Sequence, residues 1–205
     1  MPKLPKSAAR RDRSPEQNNV LILASASPRR LELLQEAGIA FEVHPAHIPE
    51  QRQPGEAPLA YALRLAEEKA RAVAERFPGR YVLGADTIVV ADEHLLEKPV
   101  DYADAARMLR ILSGRAHEVT TAVSLVKPDG QSDTRACTTR VFFRALGEEE
   151  IQRYVASNEP MDKAGAYAIQ GGAARFADRM DGQFSNVVGL PLPLVAEMLQ
   201  ANGFS

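Results

Sequence analysis

A chain of 205 residues with 45% apolar and 25% charged residues can bury a sizeable core and has the balance of an ordinary globular protein. Its formal net charge of -2 lacks the basic excess of a dedicated nucleic-acid binder, so no stable nucleic-acid binding is expected. The single cysteine, Cys137, excludes an internal disulfide, and no apolar run reaches membrane-spanning length, so a cytoplasmic setting with no membrane partner is expected.

Residues 1–19 are rich in Lys, Arg, Ser, Pro, Gln and Asn, show no periodicity and read as a disordered basic leader. A basic arm touching nucleic acid is the functional alternative. No apolar segment follows the basic residues, so the leader is not a secretory signal. Val20 to Leu23 then reads as a buried strand, and Leu31, Leu34 and Ala37 recur at helical spacing. Between them lies Ala24-Ser25-Ala26-Ser27-Pro28-Arg29-Arg30. Ser27 suits an N-cap, and Pro28 suits the first helical position, where its missing N–H costs nothing. Hydroxyls, guanidinium groups and free backbone N–H groups at the positive end of a helix make an anion site, with phosphate the usual anion. A capped helix with solvated arginines is the plain alternative.

Gly38 stops that helix, and Phe41 to Val43 reads as a short strand. A polar, Pro-rich loop over 44–58 carries Glu50, a residue type that is usually solvated in such a loop. From about Ala57 to Arg76 a helix is expected, with Leu59, Leu63, Ala66, Ala70 and Val73 in one stripe. Lys69, at the edge of that stripe, either snorkels to solvent or points into a cleft. Pro78-Gly79 ends the helix, and a central strand runs from Tyr81 to Val90, interrupted by Asp86. A carboxylate there is costly unless it meets a cation, donors or a metal. A bulge aspartate bonded to backbone amides is the competing reading. Lys98, in Leu96-Glu97-Lys98-Pro99, follows closely enough for its amine to approach Asp86.

A helix over Tyr102 to Leu112 stops before Ser113-Gly114. Val119 to Val126 and Thr134 to Phe143 flank Lys127-Pro128-Asp129-Gly130, the signature of a long antiparallel hairpin. A helix at Glu148 to Ala156 leads into a glycine-rich loop, Asp162 to Gly172, in which Gln170 offers the paired donor and acceptor that reading a nucleobase edge requires. A plain surface loop is the alternative. A short hairpin near 173–188 and a last helix after Pro191 complete the chain. The fold class is α/β, with a mixed, elongated, twisted sheet flanked by helices. There is no P-loop, no G-x-G-x-x-G and no Gly-x-Ser-x-Gly elbow. His44 and His47 lack nearby cysteines and do not suggest a zinc site, and His117 reads as structural.

Taken in order, Ala24-Ser25-Ala26-Ser27-Pro28-Arg29-Arg30, Glu50, Glu68-Lys69-Ala70, Gly84-Ala85-Asp86-Thr87, Lys98-Pro99, Leu112-Ser113-Gly114-Arg115, Asp162-Lys163-Ala164-Gly165 and Val188-Gly189-Leu190-Pro191 resemble the Maf family of nucleoside triphosphate pyrophosphatases. The resemblance runs from Val20 to the C-terminus. It implies a Maf-like, ITPase-like architecture, with residues 20–205 as one catalytic domain whose two lobes flank a cleft. It also implies cleavage of a nucleoside triphosphate to the monophosphate and pyrophosphate with a divalent cation (Mg, Mn or Co), a link to septum-formation inhibition, and room for a homodimer.

The Ala-Tyr-Ala-Ile-Gln-Gly loop and Glu50-Gln51-Arg52-Gln53-Pro54 look like the type acting on dTTP and UTP. The alternatives are 7-methyl-GTP or a non-canonical purine triphosphate as substrate, or a nucleotide or nucleic-acid binding regulator without turnover. By resemblance Asp86 is the proton acceptor, Glu50 and Asp86 hold the metal, and Lys69 and Lys98 act with Arg29 and Arg30 on the triphosphate charge. Ser25 and Ser27 bind phosphate oxygens, while Arg29, Thr87 and Gln170 match positions tied to substrate choice. Ala168 departs from the family's usual glycine, and His47 and Pro49 stand where acidic residues are common.

Overall fold

The apolar run near the start of the chain becomes strand β1 (Leu21–Leu23), with all three side chains buried. The computed structural model describes residues 20–204, so the reading of 1–19 as a disordered leader lies outside the described residues. Helix α1 (Pro28–Glu36) returns the chain to β2 (Phe41–Val43), which pairs parallel with β1. Helix α2 (Pro58–Ala74) leads to the central strand β3 (Val82–Ala91), parallel to β1 on one edge. A short strand absent from the sequence reading, β4 (His94–Leu96), folds back antiparallel on the far end of β3.

Helix α3 (Tyr102–Leu112) is capped by Asp101, whose carboxylate accepts the Asp104 N–H at 2.7 Å. The expected hairpin forms from β5 (Ala116–Val126) and β6 (Ser132–Phe143), paired without a break from Ala116 with Phe142 to Val126 with Ser132. Helix α4 (Glu148–Val155) follows. A 3-10 turn at Gly172–Phe176 precedes strand β7 (Ala177–Asp181), helix α5 (Phe184–Val188) and helix α6 (Leu192–Ala201). The hairpin expected near 173–188 does not form. β7 instead adds antiparallel to β6, and the segment after it turns helical, with Asn186 fully buried beneath the sheet. Among the described residues the result is a mixed, twisted seven-stranded sheet ordered β2-β1-β3-β5-β6-β7, with β4 on β3. No described helix is long and apolar enough to cross a membrane.

Two features of this fold place the site. First, α2 lies directly on β3 at Gly84, where an added Cβ would stand 2.4 Å from the Ala66 carbonyl oxygen and 2.7 Å from the Ala70 nitrogen. The small residues Ala66 and Ala70 on one side and glycine on the other allow that contact. The helix is rolled about it, so its buried face runs through Tyr61, Ala62, Leu65, Ala66, Lys69, Ala70 and Val73. The expected stripe began at Leu59 and Leu63, but Leu59 is half exposed and Leu63 only partly buried. Lys69 therefore lies inside the buried face and not at its edge.

Second, β3 is paired with β5 along nearly its whole length, but its other edge is paired only at its two ends. β1 reaches Val82 and Leu83, and β4 reaches Val89 to Ala91. Between them, residues 84–88 have no strand on that edge among the described residues. Successive side chains of a strand point to opposite faces, so Asp86 and Thr87 approach this opening from the two sides of the sheet.

Candidate active site

Around the open edge of β3 is a cleft of about 580 Å³, within the size range of small-molecule sites. Ser25, Ser27, Arg29, Arg30, Glu50, Lys69, Asp86, Thr87, Lys98 and Gln170 all line it. The ten residues expected at the site are thus brought to one cavity, across more than 140 positions of chain.

Asp86 belongs to an unbroken ladder opposite Ala122, which rules out the bulge reading. Its Oδ1 accepts from the Lys69 ammonium at 2.8 Å, and both residues are buried. Lys69 also meets Glu50 Oε1 at 2.8 Å, so one ammonium bridges two carboxylates. Burial works against the charged form of Glu50, but the Lys69 hydrogen bond and charge, with Lys98 and Arg30 beyond, outweigh it and hold its pKa below the usual value. Lys98 is largely exposed and pairs with Glu50 Oε2 at 3.8 Å, so its partner is Glu50 and not the expected Asp86. Among the described residues, the second oxygen of Asp86 has no protein partner.

The Ser-Ala-Ser-Pro-Arg-Arg junction takes the expected strand-to-helix form, with one change. Ser27 occupies the N-cap position and Pro28 opens the helix, but the Ser27 hydroxyl caps nothing. The Ser25 hydroxyl accepts the Ser27 N–H at 3.2 Å in its place, which leaves the Ser27 side chain for the cleft. Arg30 is held at three points. Its Nε donates to the Gly189 carbonyl at 2.8 Å, Nη1 to Ser25 Oγ at 3.2 Å and Nη2 to Thr87 Oγ1 at 3.1 Å. Burial lowers its pKa and Asp86 opposes the shift, yet a guanidinium stays charged at any ordinary pH. Arg29 is held more loosely, 3.8 Å from Asp162. One arginine is therefore tied into the wall by three hydrogen bonds, and the other has one long ion pair.

The glycine-rich loop carries Gln170 exposed at the mouth, its amide without a hydrogen bond among the described residues. Two side chains that sequence reasoning missed hold this loop. The Glu159 carboxylate accepts the Gly172 N–H at 3.0 and 3.1 Å and the Tyr154 hydroxyl proton at 2.8 Å. Tyr154 in turn accepts the Ala168 N–H at 3.0 Å. Gly171 passes so close to Glu159 that an added Cβ would lie 2.2 Å from Oε1. Ala168, the departure from the family pattern, is accommodated in this packing with its side chain buried.

Tyr61 and Glu97 were also missed. Tyr61 donates to Glu97 Oε1 at 3.0 Å at the cleft wall, and burial followed by that carboxylate raises the phenol pKa. Tyr61 is eight residues before Lys69, on the same helical face, which was a usable signal. The contact with Glu97 was not. His44 and His47 form no metal cluster; among the described residues no three His, Cys, Asp or Glu side chains converge to hold an ion. His117 is structural as read, bonded through Nε2 to the Tyr167 hydroxyl at 2.8 Å.

An α/β sheet with carboxylates, an ammonium and guanidinium groups converging at the open edge of its central strand defines a protein built to handle an anionic ligand. The model of the family described as Maf-like protein matches residues 20–202, and the chain belongs to the Maf family. It is 55% identical over 183 residues to a dTTP/UTP pyrophosphatase of Koribacter versatilis, a match covering 89% of this chain and 94% of the relative. It is 54% identical to a dTTP/UTP pyrophosphatase of Geobacter metallireducens, covering 91% of this chain and 98% of that one. The solved structure of the Staphylococcus aureus Ham1 protein overlays 89% of this chain and 98% of its own at 14% identity, with a TM-score of 0.48.

Proposed function

We propose that this protein is a nucleoside triphosphate pyrophosphatase that hydrolyses dTTP and UTP to the monophosphate and pyrophosphate. The observation that carries the reading is Lys69 bridging the buried Asp86 and Glu50 inside a cleft that also holds Arg29, Arg30 and Lys98. The family and the names of the relatives support the same activity.

Asp86 is the proton acceptor. Lys69 occupies one of its oxygens, orients the carboxylate and leaves the other oxygen for a water. As that water attacks, Asp86 takes its proton, the anhydride between the α- and β-phosphates breaks, and the electron pair leaves with pyrophosphate. The charge that grows on pyrophosphate is met by Arg30, Lys98 and Arg29. Ser25 has both acceptor positions filled, by the Ser27 N–H and Arg30 Nη1, so its proton is free for a phosphate oxygen. Gln170 reads the base.

The carboxylate oxygens of Glu50 and Asp86, both in the cleft, are of the hard type that would hold a divalent cation. Such a cation (Mg²⁺, Mn²⁺ or Co²⁺) would supply charge neutralisation and polarisation of a phosphoryl oxygen. Pyrophosphate release from a panel of nucleotides with each cation tests the reading. UTP and dTTP are expected to be the preferred substrates, with Asp86→Asn slower by about a thousandfold in kcat. No release from any nucleotide sinks the proposal, and preferred release from 7-methyl-GTP or a purine replaces its substrate.

A further inference from the structure

Behind the cleft, a closed ring of hydrogen bonds runs through two fully buried residues that the mechanism does not use. Thr121, on β5 directly opposite Thr87, places its hydroxyl 2.9 Å from Thr87 Oγ1. The same hydroxyl is 2.9 Å from the backbone carbonyl oxygen of Asn186. That carbonyl also accepts the Gly189 N–H, and the Gly189 carbonyl accepts Arg30 Nε. Arg30 Nη2 returns the ring to Thr87. The Asn186 side chain is fully occupied too: Nδ2 donates to the Val119 carbonyl and to Thr139 Oγ1, and Oδ1 accepts the Thr121 N–H.

The direction of every proton in this ring follows from one acceptor. A carbonyl oxygen cannot donate, so the single hydroxyl proton of Thr121 goes to Asn186. Were it turned toward Thr87, two oxygens would face each other across 2.9 Å in a dry interior with no proton between them. Thr121 can then only accept from Thr87, and that consumes the single proton of Thr87. Arg30 Nη2 takes one lone pair of Thr87, a residue that lines the cleft, and one lone pair is left over.

We propose that Thr121 is a positioning residue that locks the Thr87 hydroxyl as an acceptor-only group on the cleft wall. Arg30 is thereby set between two hydroxyls of opposite character: Ser25, which can only donate to a ligand, and Thr87, which can only accept from one. Phosphate oxygens, which are acceptors, are welcomed at Ser25 and repelled at Thr87. The matching group for Thr87 is a ligand N–H, and uracil and thymine offer one at N3 where cytosine offers a lone pair. This selectivity rests on the pyrimidine triphosphate reading above, whereas the proton directions do not.

Neutron diffraction from deuterated protein reads the ring without any substrate. The Thr121 deuteron is expected on the line to the Asn186 carbonyl and the Thr87 deuteron on the line to Thr121; a Thr87 deuteron pointing into the cleft overturns the proposal. Kinetics supply the second arm. Thr121→Val keeps the shape and frees the Thr87 proton, so kcat/KM for UTP is expected to fall about tenfold, mainly through KM. The UTP to CTP preference should shrink by a similar factor. Thr121→Ser should restore both to within about twofold, because it returns the hydroxyl. A folded Thr121→Val protein with an unchanged UTP to CTP ratio rejects the role. Equal losses on both nucleotides also reject it, since they mark a purely structural residue. Should Thr121→Val fail to fold, Thr121→Ser and the deuteron positions decide. A wild type inactive on UTP defeats the functional reading, and the deuteron positions still judge this one.

Discussion

Two buried titratable pairs share this sheet and answer burial in opposite ways. At the cleft, Lys69 and Asp86 are 8% and 7% exposed and pair as ammonium and carboxylate, with Glu50 as a second anion. In the core, His117 and Tyr167 are 2% and 6% exposed and bond to each other within a cluster of aromatic edges, Phe143 lying 4.9 Å from each ring. Burial pushes the His117 imidazole down to about 4 and the Tyr167 phenol upward, so both are neutral at pH 7. Burial alone therefore does not mark a functional group. A low-dielectric wrap discharges a lone titratable side chain, whereas reciprocal pairing keeps charges available beside the opening where an anionic ligand and a water meet them.

The largest effect expected from this contrast follows removal of the shared cation. Lys69→Met removes the direct ion-pair partner of the buried Asp86 and leaves Glu50 only its longer contact with Lys98, and it should cost about 3–5 kcal/mol in denaturant unfolding at pH 7. Part of that loss should return as acid protonates one carboxylate. A variant as stable as the wild type would show that the ammonium is not what holds the two anions together.

A loss of about 3 kcal/mol is expected from the histidine. Its folded pKa near 4 is below the unfolded value near 6.5, so the unfolded chain takes up the proton first as pH falls. The histidine's contribution should fall from pH 6.5 toward pH 4 and level off below. His117→Gln should remove that component, read as the difference between the two stability-against-pH curves. A flat difference would mean that the imidazole is charged in the folded protein and that the two centres are alike.

The smallest effect is expected from Tyr167→Phe, which deletes the hydroxyl bonded to His117 Nε2 and should cost about 1 kcal/mol in a thermal or urea melt. A loss as large as that of Lys69→Met would place a charge in this centre after all.

Most elements were legible in the sequence because they rest on short-range signals. Pro28 after Ser27 opened a helix, Lys127 to Gly130 turned a hairpin with Gly130 in the left-handed region, and periodicity found both long strands. The site residues were legible because their types at those spacings form an ordered pattern. What failed were inferences that depend on partners distant in sequence. The segment after Phe176 looked like a hairpin by composition, yet β7 found its mate in β6 and Asn186 folded under β5. The buried face of α2 was set one step off, because the roll of the helix depends on its contact with Gly84.

Glu159, Tyr154 and Thr121 carried no local sign of their roles, since the residues they hold, Gly172, Ala168 and Thr87, lie more than ten positions away along the chain. The sequence by itself determined the class of fold, the charges and hydroxyls available, and the family to which the chain belongs. The tertiary structure alone decided that, among the described residues, β1 and β4 leave one edge of residues 84–88 of β3 open while β5 pairs the other, so that Asp86 and Thr87, on opposite faces, serve one cleft. It also decided which hydroxyl proton points where. Strand register and proton direction are set by partners across space, and those exist only once the chain has closed on itself.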